Sequence, residues 1–190
     1  TGNSPYLTFE WKAGKDGEHH EVKTQLIGEY NFANALAAVT IGHFFDVESG
    51  KIDTALKEYT PQNNRSQLKQ TADNTLIIDA YNANPTSMQA SISNFHNMEI
   101  DNKMLILGDM RELGKDGPKE HQKIVDFLTE CGFKDVMLVG EQFAAARHDF
   151  PTYPDAPAVI EALQKNKPHG KTILIKGSNG IKLSTVIDYL

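Results

Sequence analysis

The sequence predicts an α/β protein: a mostly parallel sheet with helices on both faces, preceded by a smaller piece made of a β-hairpin and two helices. Three observations carry this. Four short apolar runs, TLIID (75–79), KMLILG (103–108), DVMLVG (135–140) and KTILIK (171–176), are separated by stretches of helical pattern. These runs are continuous rather than alternating, the mark of strands buried on both faces of a parallel sheet. Before residue 60 the texture differs, with two alternating, β-rich segments followed by an alanine-rich run.

In chain order, YLTFEW (6–11) and VKTQLI (22–27) alternate, and the polar, glycine-containing AGKDGEHH between them reads as a hairpin loop. From Asn31, NFANALAAVTIGHFF has apolar residues at helical spacing and predicts a buried helix, with a second, amphipathic helix at about 49–59. TPQNNR punctuates the chain at Pro61. The boundary is therefore placed between 1–60 and 61–190. In the second part helices are expected near 86–98, 117–130, 141–147, 156–165 and 179–189 between the apolar runs. His19 and His20 fall in the polar hairpin loop and are expected to be solvated; His43 is expected to pack or cap.

Composition excludes several function classes. A formal net charge of −6 argues against nucleic-acid binding and a polybasic membrane patch. The single cysteine, Cys131, permits no intrachain disulfide and suits a reducing, cytoplasmic setting. No apolar run approaches the ~20 residues of a membrane helix. The opening TGNSPYLTFEW lacks the features of a signal peptide and reads as the middle of a longer protein.

Ligands of open α/β sheets bind at the carboxyl ends of the strands. The loops there read DAYNANP, GDMRELG, GEQ and KGSNG, and the first, second and fourth are rich in chemistry. Asp79 at a strand end suits ribose hydroxyls or a metal, or braces its loop. Asn82 and Asn84 offer donors and acceptors, or simply make a turn ahead of Pro85. Tyr81 is open to packing. Asp109, Arg111 and Glu112 fit an ion-pair cluster or a ligand contact. Lys176, Ser178 and Asn179 precede a helix whose N-terminus would draw anions, or Ser178 caps it. Gly177 and Gly180 allow close backbone approach. His121, on the helix after GDMRELG, is placed to point back at the strand ends. The sequence has no G-x-G-x-x-G fingerprint, no G-x-x-x-x-G-K-[ST] loop and no Cys/His set with zinc spacing.

Taken in order, GEYNFANALAA (28–38), NNRSQ (63–67), DAYNANPTSM (79–88), LGDMRELG (107–114) and KGSNG (176–180) resemble the Mur ligase family over nearly the whole chain. DAYNANP with GDMRELG is the most specific part and favours the dipeptide-adding member. The resemblance implies that 1–60 is the tail of a central ATPase domain and 61–190 a Rossmann-like C-terminal domain. It implies an ATP-dependent amide ligase that joins D-alanyl-D-alanine to UDP-N-acetylmuramoyl-tripeptide through an acyl phosphate. ATP and Mg2+ would serve it, the phosphate-cradling lysine and the Mg2+ ligands lying in domains upstream, so no metal ligand is expected here.

Residue by residue, the resemblance puts Asn31 and Asn34 in the adenine pocket, on one helix face. Tyr30 stands where many relatives have histidine. Arg65 would reach the ATP phosphates, Asp79 the ribose hydroxyls, and Tyr81, Asn82 and Asn84 would flank the nucleotide and the incoming amine. Arg65, Asn82 and Asn84 are thus the catalytic candidates. Asp109, Arg111, Lys176, Ser178 and Asn179 would lie on the dipeptide side. Another Mur-type or folylpolyglutamate-type ligase, and a nucleotide- or amino-acid-binding module without catalysis, remain alternatives.

Overall fold

The computed structural model describes residues 2–3, 6–15, 17–62 and 64–190, with Gly2 and Asn3 as backbone only. Asp16 of the expected hairpin loop and Asn63 of NNRSQ lie outside the described residues. The chain divides into two compact units, Thr1–Gln62 and Asn63–Leu190.

In the first unit β1 (Gly2–Asn3), β2 (Tyr6–Trp11) and β3 (His20–Ile27) form an antiparallel sheet. Alternation along β2 turns Leu7, Phe9 and Trp11 inward, and they pack with Val22, Ala35, Val39 and Ile52. The last three come from α1 (Phe32–Phe44) and α2 (Ser49–Glu58). The expected buried helix is instead half-exposed. Ala35 and Val39 are covered, but Leu36, Ile41 and Phe44 are 44%, 59% and 79% exposed, because so small a sheet covers only one stripe of a helix. The expectation of solvated histidines also fails at His20. It opens β3, stacks on Trp11 at 4.4 Å and pairs through Nδ1 with Asp53 Oδ2 at 2.7 Å, while the Trp11 indole N–H donates to the other oxygen of Asp53. His43 packs edge-on against Trp11.

The second unit opens with β4 (Gln67–Gln70) and β5 (Thr75–Asp79), followed by α3 (Pro85–Asn97), β6 (Lys103–Gly108) and α4 (Gly117–Glu130). Then come β7 (Val136–Val139), α5 (Glu141–Ala145), β8 (Thr152–Tyr153), α6 (Ala156–Lys165) and β9 (Thr172–Lys176). The sheet order is β4-β5-β9-β6-β7-β8, with only β4 antiparallel to its neighbour. The four apolar runs are its four central strands. The two edge strands escape the sequence because β4, QLKQ, is polar and β8 has two residues.

Leu76, Ile78, Met104, Ile106, Ile173 and Ile175 face one side of the sheet, where α6 and the segment 183–190 cover them. The alternate residues, such as Ile77, Leu105 and Leu174, face the other side, and α3 and α4 bury Met88, Ile92, Ile124 and Leu128. The helix expected at 179–189 is two 3-10 segments, Asn179–Ile181 and Leu183–Tyr189. Lys182, with φ 60, turns left-handed between them and breaks the ladder.

Candidate functional site

β9 sits between β5 and β6 although it comes last in the chain. The register sets Lys176 beside Asp79 on one flank and Leu107 on the other. The helices after β5 and β6, α3 and α4, lie on one face of the sheet, while the segment after β9 returns on the other. Loops leaving in opposite directions open a crevice at the carboxyl ends of these strands.

Asp79 ends β5 at this switch point. Its Oδ2 accepts from Lys176 Nζ at 2.5 Å and from Ser91 Oγ of α3 at 3.2 Å. Oδ1 takes no hydrogen bond from any described residue, and the side chain is 15% exposed. Lys176 is 1% exposed and also reaches the Asn82 carbonyl at 3.4 Å. Two residues on, Tyr81 is half-exposed, and the Arg65 guanidinium lies 3.8 Å from its ring centroid. Such a stack contributes about 0.5–1 kcal/mol at an exposed site. Arg65 is lifted to this position by a tight turn, since Asn64 and Ser66 both have positive φ, 57° and 45°. Arg65, Asp79, Tyr81 and Asn82 thus share one rim.

The loop after β6 is tied down residue by residue. The Asp109 carboxylate accepts from the N–H groups of Gln142 (2.9 Å) and Phe143 (3.0 Å) at the start of α5. It fills the space a side chain at Gly140 would need, and Gly140 has φ 119. The Met110 N–H donates to His121 Nε2 at 3.0 Å, while Nδ1 faces the Gly117 carbonyl at 2.7 Å. That pairing assigns the ring hydrogen to Nδ1. The Arg111 N–H donates to Ser178 Oγ at 2.8 Å, and its guanidinium lies against Gly180, where a Cβ would collide with it. Between this loop and the start of α5 is a cleft of about 540 Å³ lined by Arg111, Glu112, Gly140, Gln142 and Ile181. Glu112 holds a left-handed φ of 69° at its edge, a strain that needs surrounding contacts to persist.

Several expectations change. Asn84 caps α3: its Oδ1 accepts from the Ser87 N–H at 2.8 Å, and Ser87 Oγ accepts in return from the Asn84 N–H at 3.2 Å. Helix N-termini leave N–H groups without acceptors, and this box answers two of them. Asp109 is 6% exposed and braces the loop, and Lys176 is buried against Asp79 rather than facing a ligand. Ser178 makes no side-chain cap; its hydroxyl holds Arg111. The anion-binding helix terminus expected after KGSNG is absent, because Asn179 begins a three-residue 3-10 turn. Arg111 and Asn179 stay exposed. In the first unit Asn31 and Asn34 share a helix face as expected. Asn34 Nδ2 donates to Asn31 Oδ1 at 3.2 Å, and Asn31 Nδ2 to the Ile27 carbonyl at 2.8 Å. Ser91 carries no signal in the sequence. It lies 12 residues beyond Asp79, and only the docking of α3 on the sheet brings it there. Among the described residues no group of three or more His, Cys, Asp or Glu could hold a metal ion.

A Bacillus subtilis protein named UDP-N-acetylmuramoyl-tripeptide–D-alanyl-D-alanine ligase is 29% identical over 203 residues, which cover 97% of this chain and 44% of that protein. The crystal structure of MurF from Acinetobacter baumannii superposes with a TM-score of 0.81 at 26% identity, over 97% of this chain and 42% of that one. MurF ligase from Thermotoga maritima in complex with ADP gives 0.80 at 17% identity, over 97% and 43%, a likeness of fold. The chain therefore spans less than half the length of these relatives. The family model described as Mur ligase, glutamate ligase domain, matches residues 64–179, and the chain belongs to that family.

Proposed function

We propose that this chain is the C-terminal part of an ATP-dependent amide ligase that adds D-alanyl-D-alanine to UDP-N-acetylmuramoyl-tripeptide in cytoplasmic peptidoglycan precursor synthesis. Residues 1–60 are then the end of the central ATP-binding domain and 61–190 the C-terminal domain. The observation that carries the reading is Asp79. It is a carboxylate at the mouth of a central strand with one oxygen anchored and the other unclaimed by any described residue, beside an arginine stacked on tyrosine. The names of the relatives support the reaction and its substrates.

In this reading the free oxygen of Asp79 takes the ribose hydroxyls. Tyr81 holds the Arg65 guanidinium on its ring, and Arg65 offers its cation to the phosphates. Asn82 extends toward the incoming amine. The exposed Arg111 beside the 540 Å³ cleft provides a charge for the dipeptide carboxylate, with Asn179 nearby in the KGSNG turn. Catalysis of this kind rests on positioning and charge neutralisation. The carboxylate of the tripeptide takes a phosphoryl group from ATP, and the dipeptide amine then displaces phosphate. Mg2+ would neutralise phosphate charge in such a transfer. In this reading the ligands of that ion come mainly from domains upstream of these residues.

The test is the longer native chain. Phosphate release that requires both D-alanyl-D-alanine and the tripeptide substrate is expected. Release with a single amino acid in place of the dipeptide would move the protein to another member of the family.

A further inference from the structure

We infer that Lys176 is a positioning residue that, with Ser91, holds Oδ2 of Asp79 from beneath the rim and so presents Oδ1 to the vicinal diol of a nucleoside. This rests on the ribose reading of Asp79.

Lys176 is only 1% exposed, so its ammonium does not reach a ligand in the crevice. It does reach Asp79, which the parallel register places directly beside it, and the contact is 2.5 Å. A buried ammonium without its counter-ion is strongly unfavourable, so the pair is held together. The Ser91 hydroxyl donates to the same oxygen from α3, 3.2 Å away. Two donors from different elements converge on Oδ2 and fix the plane of the carboxylate, leaving Oδ1 as the acceptor that no described residue uses. The ammonium has a second effect. An unpaired carboxylate beside a polyphosphate would repel it, and a buried positive charge within hydrogen-bond distance offsets that repulsion.

Two measurements separate this inference from the ribose reading. The first uses the 190-residue chain, labelled for NMR, and follows the χ1 population of Asp79 from three-bond couplings. A single rotamer is expected in the native chain and averaging between rotamers in Lys176→Met, with the β5–β9 contacts retained. Ser91→Ala, which leaves the ion pair in place, is expected to give partial averaging and guards against a Lys176 variant that does not fold. A single Asp79 rotamer in every folded variant would overturn the inference. The second uses the full-length enzyme and compares ATP with 2′,3′-dideoxy-ATP. Lys176→Met is expected to raise KM for ATP roughly tenfold, the loss of one well-placed hydrogen bond to a charged group. Its preference for ATP over the dideoxy nucleotide should fall by the same factor while kcat changes little. An equal fall in kcat with the preference intact would assign Lys176 a merely structural role. Absence of any preference in the native enzyme would sink the ribose reading and the diol part of the inference with it, leaving the positioning of Asp79 to be decided by the rotamer measurement.

Discussion

At the residue scale the sequence names the polar side chains gathered at the strand mouths but not the directions they take. Asp79, Tyr81 and Asn82 are legible because a strand mouth crowded with amides and a carboxylate has few bland uses. Lys176 is not, because residue type cannot say whether an ammonium at a strand end turns outward or into the neighbouring strand. Here the neighbour is β5, more than 90 residues earlier, and no local signal reports it. Asp109 and Ser178 follow the same logic: Asp109 accepts from two N–H groups at the start of α5, and Ser178 from the Arg111 N–H of the loop after β6. In the full-length enzyme, Asp79→Ala is expected to raise KM for ATP by roughly tenfold or more, as for a hydrogen bond to a charged group, and an unchanged KM removes it from the ribose role. Arg65→Ala should weaken nucleotide affinity with little loss of stability, since the stack on Tyr81 lies at the surface; a titration of nucleotide against both proteins checks this.

At the scale of elements, the four apolar runs mark the central strands and their helices to within a few residues. Elements too short or too polar to show a period leave no such mark: β4, β8 and the 3-10 segments after β9. The capping box that starts α3 is spelled out in Asn84 and Ser87, and removing it has a calculable cost. Asn84→Ala should lower unfolding free energy by about 1 kcal/mol, read from the urea midpoint at unchanged slope. At the opposite end of the strands, Lys167 Nζ lies 2.8 Å from Asp73, and that hydrogen bond, with His169 adding to it, holds the Asp73 carboxyl below its usual value. A carboxyl whose folded value is lowered contributes stability above its unfolded pKa, about 4, and loses it as pH falls through the folded value. Asp73→Asn should therefore be less stable than the native chain at neutral pH and converge with it in acid. The pair is solvent-accessible, so 1 M salt should narrow the difference.

At the scale of the whole molecule, the sequence reading sets its boundary after residue 60, and the chain's two compact units are Thr1–Gln62 and Asn63–Leu190. The division shows in the sequence as a change of texture, continuous apolar runs replacing alternating ones. The second unit has its own two-faced core, and residues 63–190 expressed alone should fold cooperatively, checked by a single thermal transition. The 190-residue chain should release no phosphate from ATP, because it contains no phosphate-cradling lysine loop; dipeptide-dependent release would contradict this.

The strand order carries one more consequence. β9 is the keystone of its sheet, yet the ribosome makes it after every other strand. Until Thr172–Lys176 emerges, β5 and β6 have no shared neighbour and each leaves an edge unsatisfied. The arch closes only once synthesis of the sheet is complete, so a nascent chain stopped before residue 171 should be captured by chaperones, and one released beyond Leu190 should not.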